Sequence, residues 1–224
     1  MTKPTIAKTS TVDVERIYRF YESYTQQQSI GIGWSSLEAA YRCYEAASSH
    51  SWQNWSQFTT VLDVGCGHAL LNEYLREARS FDGCYTGIEV FTPFFEAAHK
   101  RLGPQKNVEL RWGEFSSTPF ESSSYDWVFS LGSLAVIQDD QKHQDRLMIT
   151  KMVELARQGV SIYVNDNERF PPARRDQYQD LATHDLSELV SLLESFDAVK
   201  QIDVQRVDAS DTYRTLVHAS IGEG

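Results

Sequence analysis

The feature of this sequence that most restricts its fold is a pair of glycines between an apolar run and a helical pattern. Residues 59–64 are rich in β-branched side chains, which favour a strand. Gly65 and Gly67 follow, and from Leu70 onward the apolar residues recur at helical spacing. Glycine is needed where the backbone takes a positive φ angle or must approach another group closely. The sequence therefore predicts a strand, a tight turn and a helix whose first N–H groups face a ligand.

Two classes of cofactor bind above such a turn. The dinucleotide fingerprint G-x-G-x-x-G requires a third glycine, and this chain has Leu70 at that position. Asp63 stands two positions before the first glycine, so the chain reads Asp63-Val-Gly65-Cys66-Gly67. This stretch resembles the Asp-x-Gly-x-Gly motif of class I S-adenosylmethionine-dependent methyltransferases. The resemblance implies that the methyl donor binds at Asp63, Gly65, Cys66 and Gly67, with Asp63 near the donor's ammonium group. A plain turn without a ligand is the alternative.

Length, charge and cysteine content limit the partners and the compartment. The 224 residues suffice for one α/β domain with a substantial core. With 31 acidic and 21 basic side chains the formal net charge is −10, which repels nucleic acid and anionic membranes at long range. Scattered cysteines, no apolar span and no secretory signal indicate a reducing compartment, the cytoplasm. We expect no metal site and no nucleic-acid or membrane partner, and the oligomeric state stays open.

From Thr60 onward strands alternate with helices, which predicts a mostly parallel sheet. Residues 199–207 and 213–220 alternate in the β pattern across a short polar connection, which predicts an antiparallel hairpin. The resemblance implies the same α/β architecture, a Rossmann-like doubly wound sheet of seven strands, mostly parallel, with an antiparallel C-terminal hairpin. The other predicted strands are 61–64, 84–90, 108–112, 127–130 and 160–165, and the main predicted helices are 70–79, 93–102, 141–157 and 186–196.

About sixty residues precede the first predicted strand and carry two helical patterns. The first covers about 12–28, and the second follows a cap at Ser35 or Ser36. Each is polar on one face, so we expect an N-terminal helical extension that folds over the sheet. The sequence thus divides into a helical cover, residues 1–58, and a methyltransferase catalytic domain, residues 59–224.

Two further positions match the donor site of the family. Glu89 lies 22 positions after Gly67, at the end of the second predicted strand, where an acid that binds ribose hydroxyls is expected. A carboxylate can accept hydrogen bonds from both vicinal hydroxyls at once. Val90 follows, where the resemblance implies an apolar residue against the adenine ring. An ordinary acid at the end of a strand is the alternative for Glu89.

The ends of the third and fourth predicted strands also match family motifs. Gly113-Glu114-Phe115 stands where family members often have Gly-Asp, whose carboxylate accepts from the adenine amino group. Glu114 is one methylene longer than that aspartate, and Phe115 could form an edge of the pocket. The loop that begins with Ser130 and Leu131 is expected beneath the donor's methionine. It lacks the Asn-Pro-Pro-Tyr or Asp-Pro-Pro-Tyr signature of enzymes that methylate adenine or glutamine, which disfavours those substrates.

Trp34 and Arg42 lie in the N-terminal extension, eight positions apart. Gly33-Trp34-Ser35 followed by Arg42 resembles the N-terminal segment of a set of small stand-alone methyltransferases. Helical spacing would put both side chains near one edge, where the arginine could bind the donor's carboxylate through two parallel hydrogen bonds. A core tryptophan with a surface arginine is the alternative.

The segment 166–184 combines a Pro-Pro pair, three arginines and aromatic residues, which is typical of a lid-like loop at the end of a strand. Together with the tyrosines of the first helix it is expected to bound the acceptor pocket. Arg169, Arg174 and Arg175 hint at an anionic acceptor, although a solvated charged loop is the simpler interpretation.

The catalytic chemistry is less clear from the sequence. We interpret Asp139, Asp140 and His143 as the N-terminus of a helix rather than as metal ligands. Neither His143 nor His68, which follows the glycine turn, is identified as a catalytic base. The sequence therefore predicts methyl transfer from S-adenosylmethionine to a small-molecule acceptor. A non-catalytic protein that binds the donor or its product is the alternative, and Leu70 opposes a nicotinamide oxidoreductase.

Overall fold

The computed structural model describes residues 12–27, 33–177, 179–208 and 211–222. The strands are β1 (Thr60–Val64), β2 (Cys84–Glu89), β3 (Val108–Trp112), β4 (Tyr125–Ser130), β5 (Ala156–Asn165), β6 (Val199–Asp208) and β7 (Asp211–Ile221). The helices are α1 (Val14–Gln27), α2 (Leu37–Ser48), α3 (Leu70–Arg79), α4 (Thr92–Leu102), α5 (Gln141–Leu155), α6 (Pro172–Gln177) and α7 (Leu186–Glu194).

All seven strands form one sheet in the order β3-β2-β1-β4-β5-β7-β6. Strands β1 to β5 run parallel, whereas β7 runs antiparallel to both β5 and β6. The predicted Rossmann-like sheet with its antiparallel C-terminal hairpin is therefore confirmed. The strand order changes direction beside β1, since β2 lies on one side of it and β4 on the other. In open α/β sheets, ligands bind at such a point, outside the carboxyl ends of the strands.

Hydrophobic side chains cover both faces of the sheet. Val61 and Leu62 are both buried in β1 but belong to different hydrophobic clusters, because successive side chains of a strand point to opposite faces. The first cluster includes Leu75 of α3, and the second includes Met152 of α5. Burying one side chain of this size stabilises the fold by about 1.5–3 kcal/mol relative to exposure. With both faces packed, the carboxyl ends of the strands are left as the place for a ligand.

Helix α1 is attached to the segment that follows β2. Val14 and Tyr18 pack against Phe91 and Phe94 in a small hydrophobic cluster. The Tyr18 hydroxyl lies 3.1 Å from the carbonyl oxygen of Val90, to which it donates a hydrogen bond. These contacts fix the N-terminal helix over the carboxyl end of β2.

The same helix is also attached to the segment that follows β4. The backbone N–H of Asp13 donates to Gln138 Oε1 at 2.8 Å. Arg16 donates to the carbonyl oxygen of Ile137 at 3.2 Å and to Asp139 Oδ1 at 2.6 Å. Helix α1 therefore connects the ends of β2 and β4 across the centre of the sheet.

Two details concern the ends of predicted helices. Ser36, one of two expected caps, accepts a 3.0 Å hydrogen bond from the backbone N–H of Ala39 at the start of α2. The helix predicted over 141–157 is too long, because α5 ends at Leu155 and the next residue already belongs to β5. Arg157 Nε donates to the Asp126 carboxylate of β4 at 3.0 Å, so pairing with β4 extends the strand. Among the described residues, no helix is long and apolar enough to cross a membrane.

Candidate functional site

A cavity of about 190 Å³ opens at the carboxyl ends of the strands, beside α1. One water molecule needs roughly 10–15 Å³, so this space suits an organic ligand. We name three parts of its lining. The glycine-turn end consists of Asp63, Gly65, Cys66, Gly67 and Glu89, the aromatic wall of Trp34, Tyr44 and Tyr163, and the arginine end of Asn165, Tyr213 and Arg214.

The two glycines of the turn have different roles. Gly65 has a φ angle of +70°, and a Cβ atom there would lie 2.7 Å from Cβ of Ser133 in the loop after β4. Gly67 has a φ angle of +55°, and a Cβ atom there would meet nothing within 4 Å. The first glycine thus permits close packing, whereas the second leaves the backbone open toward the cavity.

Glu89 is buried and connects the glycine turn to the end of β2. Its Oε2 accepts a 2.9 Å hydrogen bond from the backbone N–H of Gly67, and its Oε1 accepts a 2.7 Å bond from that of Phe91. Burial raises the pKa of Glu89 in spite of these bonds, which lower it. Each carboxylate oxygen can accept a second bond. Glu89 is therefore equipped to receive two hydroxyl groups of a ligand.

Asp63 is the second buried acid of the glycine-turn end. Its Oδ2 accepts a 2.6 Å hydrogen bond from the Tyr85 hydroxyl. Burial raises the pKa of Asp63 to about 7, the Tyr85 bond opposes the shift, and the charge of Glu89 adds to it. Within the described part of the chain, no Lys or Arg contributes to the pKa of either acid. A cationic ligand would supply the charge that stabilises ionised Asp63.

Cys66 packs tightly against β2. A Cβ atom on Gly87 would lie 2.8 Å from Cys66 Sγ, so glycine in β2 makes room for the thiol. Burial, followed by the charges of Asp63 and Glu89, raises the pKa of the thiol well above its usual range. Cys66 therefore lines the site as a neutral group.

A smaller cavity of about 60 Å³ adjoins the first, and Gly65 and Val90 line both. Glu114 and Phe115 line it, but the carboxylate of Glu114 already accepts from the backbone N–H groups of Ser116 at 2.6 Å and Ser117 at 2.8 Å. The side chain of Glu114 therefore holds its own loop in place. Lys151, which sequence reasoning missed, donates to three carbonyl oxygens of that loop, those of Phe115, Ser116 and Thr118.

The loop after β4 places Leu131 in the main cavity and Ser130 behind it. Leu131 is part of the lining. Ser130 is fully buried, and its Oγ lies 2.5 Å from Oγ of Ser133. Because Ser133 also packs against Gly65, Ser130 supports the turn without facing the cavity.

Three aromatic residues connect the two ends of the cavity. Trp34 contacts Tyr44 and Tyr163, with ring centroids 5.9 Å and 5.6 Å apart. Burial raises the pKa of Tyr44, and the charge of nearby Asp63 contributes to that shift. Tyr163 stands two positions before Asn165 in β5. The aromatic wall thus runs from the glycine-turn end to the arginine end.

Arg42 does not join Trp34 in the cavity. Its guanidinium is exposed and donates to Glu38 Oε1 at 2.8 Å, one helical turn earlier. Helical spacing does not apply between Trp34 and Arg42, because α2 begins at Leu37. In α2, Cys43 lies on the buried face of the helix and Arg42 does not. The surface position of Arg42 corresponds to the alternative that the sequence left open.

Arg214 lines the cavity instead, at the start of β7. Sequence reasoning missed it, because its position depends on the antiparallel register that pairs it with Asn165. Arg169 and Arg175 do not line the cavity; they contact Asp166 and Asn167, respectively. The side chain of Arg174 lies outside the described part of the chain.

The segment 166–184 is held against the loop after β4. His184 is buried, with Nδ1 2.9 Å from an Asp145 carboxylate oxygen and Nε2 3.1 Å from the carbonyl oxygen of Leu134. Leu181 of this segment lines the cavity. The segment therefore bounds the cavity as an anchored wall that contains the short helix α6.

His68 follows the glycine turn and lines the cavity. Its ring packs edge-on against Phe94, with centroids 5.0 Å apart. Burial, and then the charge of Arg101, lower the pKa of His68. The imidazole is therefore neutral at pH 7 and able to donate one hydrogen bond and accept another.

The acids before α5 have a structural role. Asp140 is the N-cap residue, and its carboxylate accepts from the backbone N–H of His143 at 3.1 Å. This contact confirms the interpretation of the segment as a helix N-terminus. Among the residues described, no group of three or more His, Cys, Asp or Glu side chains could hold a metal ion. Metal independence stays a prediction.

Comparison with known proteins points to the same family as the sequence motifs. Residues 61–159, from β1 into β5, match the sequence model of a family described as a methyltransferase domain. Together with the fold, this match supports the resemblance to class I S-adenosylmethionine-dependent methyltransferases that the motifs indicated. A search of curated proteins finds no relative that matches the chain.

Several solved methyltransferases share the fold. The magnesium protoporphyrin IX methyltransferase of Synechocystis PCC 6803, with bound S-adenosylhomocysteine, has a TM-score of 0.70 and 11% identity, over 94% of this chain and 100% of that one. A Haloferax volcanii methyltransferase in complex with an activator protein has a TM-score of 0.69 and 12% identity, over 93% and 98%. A Haemonchus contortus phosphoethanolamine N-methyltransferase, in complex with phosphomonomethylethanolamine and S-adenosylhomocysteine, has a TM-score of 0.69 and 12% identity. The match covers 99% of this chain and 61% of that one.

Proposed function

We propose that this protein transfers a methyl group from S-adenosylmethionine to a small-molecule acceptor. The observation that carries the proposal is the glycine-turn end, where two buried acids face a cavity beside an open backbone turn. Asp63 suits a cation, and Glu89 suits a pair of hydroxyl groups. The donor presents both features, an amino-acid ammonium and a ribose.

In this proposal each part of the lining has a binding role. Asp63 holds the ammonium, Glu89 accepts from the ribose hydroxyls, and Gly67 lets the backbone approach the donor. Val90 and Phe115 border the smaller cavity, where the adenine ring would lie. When bound, the donor supplies a methyl group that its sulfonium already activates.

The chain's contribution to the rate is then mainly orientation. Holding two reactants in line can be worth roughly 7–11 kcal/mol of barrier. The aromatic wall and Leu131 line the space next to the glycine-turn end with largely apolar surface. No catalytic base is assigned, so an acceptor that must lose a proton would rely on a neutral group such as His68 or on solvent.

Two observations support a small acceptor over a nucleic acid. The formal net charge of −10 opposes binding to phosphates, which nucleic-acid enzymes neutralise with Lys and Arg. The cavity is concave and mostly lined by apolar and aromatic side chains, as small-molecule sites are.

The test has two steps. Calorimetry should show binding of S-adenosylhomocysteine and no binding of NAD. Methyl-labelled donor is then incubated with the protein and with separate small-molecule, RNA, DNA and protein fractions of a cell extract, with and without chelator. We expect label in the small-molecule fraction at a rate that the chelator leaves unchanged.

Other results would contradict the proposal. NAD binding would favour an oxidoreductase, and label in RNA or DNA would exclude the small-molecule acceptor. Tight binding of S-adenosylhomocysteine without transfer to any fraction would favour a non-catalytic binding protein.

A further inference from the structure

The arginine end carries a charge opposite to that of the glycine-turn end. Asn165 closes β5 and pairs in register with Arg214 of β7. Asn165 and Tyr213 are buried, Arg214 is half-buried, and all three line the cavity. The Asn165 amide nitrogen donates a 3.0 Å bond to the carbonyl oxygen of Ala182 and has a second N–H to offer. A cation and an amide donor therefore lie side by side at this end.

The two charged ends are well separated. Strand β7 is three positions from β1 in the sheet, beyond β4 and β5. At about 4.8 Å per strand, strands β1 and β7 lie about 14 Å apart. The strand registers align Asp63 with His218 of β7, and Arg214 lies four residues farther along that strand, so Asp63 and Arg214 are farther apart than the strands themselves. A donor that places its ammonium beside Asp63 leaves the arginine end to the acceptor.

The aromatic wall indicates the body of that acceptor. Trp34, Tyr44 and Tyr163 present ring surfaces between the two ends. Aromatic rings pack favourably against other rings, edge-on or offset, and bury a large flat area. A compound that covers this wall and reaches Arg214 has a flat apolar body with an anionic group at its far end.

We propose that the methyl acceptor is an aromatic oxyanion whose charged group is bound by Arg214 and Asn165. The inference rests on the proposed methyl transfer, because the donor occupies the opposite end of the cavity. Arginine binds carboxylates and phosphates alike through paired N–H groups. The proposed class of acceptor is therefore defined by a ring system and an oxyanion. The experiment distinguishes a carboxylate from a phosphate.

The test uses three probes with the same ring system on protein saturated with S-adenosylhomocysteine. The probes are 2-naphthoate, 2-naphthyl phosphate and the neutral 2-naphthamide, and binding is followed by calorimetry. We expect at least one of the anions to bind about tenfold or more tightly than the amide, the usual effect of a hydrogen bond to a charged group. The better of the two anions identifies the acceptor as a carboxylate or a phosphate.

Substitution of the arginine tests its role. Arg214→Met should abolish the preference for the anion, and Arg214→Lys should retain part of it, because the charge remains without the planar fork. Arg206→Met is the matched control, since Arg206 is exposed in β6, opposite Thr215 of the same hairpin. The control should keep the full preference.

Two outcomes would overturn the inference while leaving the proposed function intact. The first is equal binding of the amide and both anions to the wild-type protein. The second is a loss of about tenfold or more in S-adenosylhomocysteine affinity in both Arg214 variants, which would assign the arginine to the donor's carboxylate. Failure of the wild-type protein to bind S-adenosylhomocysteine would instead refute the proposed function, so the two failures are distinguishable.

Discussion

The two ends of the cavity are built in different ways. The glycine-turn end comes from residues 63–89, and it consists of two acids and a backbone turn. The arginine end combines the end of β5 with the start of β7, which are almost fifty positions apart in the chain. The first is rigid, since Glu89 accepts hydrogen bonds from two backbone N–H groups. The second is made of side chains on the antiparallel part of the sheet.

On the proposed function, this difference separates binding of the methyl donor from the choice of the acceptor. A turn whose backbone faces the ligand has little freedom to change, because a side chain at Gly67 would enter the cavity. At the arginine end, Arg214 is only half-buried, and its side chain is not part of the backbone hydrogen bonds that hold the sheet together. We therefore expect substitutions at the glycine-turn end to abolish donor binding and substitutions at the arginine end to change acceptor choice.

The largest expected effect on S-adenosylhomocysteine binding comes from Gly67→Val. Its side chain would project into the cavity, and binding of S-adenosylhomocysteine should become undetectable by calorimetry. Gly103→Val is the matched control, because Gly103 ends α4 with a φ angle of +57° and likewise has nothing within 4 Å of an added Cβ. Both variants should lose about 1–3 kcal/mol of stability from backbone strain.

Comparing Gly67→Val with Gly103→Val distinguishes the effect of backbone strain from that of a blocked cavity. The control should bind S-adenosylhomocysteine with affinity within about twofold of wild type, less than 0.5 kcal/mol. Equal losses of binding in the two variants would show that strain, rather than a blocked cavity, is responsible. Circular dichroism confirms that both variants are folded.

The next effect concerns the two buried glutamates. Glu89 and Glu114 each accept two backbone hydrogen bonds, but Glu114 binds within its own loop. Glu89→Gln should weaken S-adenosylhomocysteine binding by about 1.5–3 kcal/mol, the range for hydrogen bonds to charged groups. Glu114→Gln should have a smaller effect in the same calorimetric titration. A larger loss in the Glu114 variant would show that Glu114, rather than Glu89, makes the main carboxylate contact with the donor.

A pH dependence of about tenfold is expected from Asp63. Burial raises the pKa of its carboxyl group to about 7. A bound ammonium favours the ionised form, so binding releases a proton below pH 7 and weakens as the pH falls. S-adenosylhomocysteine should bind roughly tenfold more weakly at pH 6 than at pH 8, in proportion to the ionised fraction. Asp63→Asn should flatten this profile, and an unchanged slope would assign the effect to another group.

The Asp63 carboxyl group affects the stability of the ligand-free protein in the opposite direction, because this stability falls as the pH rises. The folded-state pKa lies above the ordinary value of 3.8. The contribution of Asp63 to stability is therefore fully present below about pH 4 and is lost as the pH rises through about 7. Thermal unfolding of the wild type relative to Asp63→Asn, at pH 5 and pH 8, measures this loss. A difference that does not change between the two pH values would contradict it.

The smallest effect is expected at Arg42, which lies on the surface beside Glu38. Arg42→Ala should leave S-adenosylhomocysteine affinity within about twofold and cost at most about 0.5 kcal/mol of stability, as a surface i,i+4 pair does. A loss of tenfold in affinity would restore the donor-carboxylate role that the sequence suggested.

The glycine-turn end was predictable from the sequence because its chemistry is local. The spacing of Asp63, Gly65 and Gly67 determines a turn, and the next strand ends at Glu89. The arginine end was not predictable, because the position of Arg214 depends on strand pairing between distant segments. The placement of Arg42 required knowing where α2 begins, which the spacing from Trp34 does not reveal.

On the proposed function, the raised pKa of Cys66 has a further consequence, resistance of the glycine-turn end to alkylation by the bound donor. A thiolate is the nucleophilic form of cysteine, and next to an activated methyl group it would become a thioether. Burial and the charges of Asp63 and Glu89 raise the pKa of this thiol, so it stays protonated. On the proposed function, the acids that attract the cationic donor also prevent the protein from consuming that donor on its own cysteine.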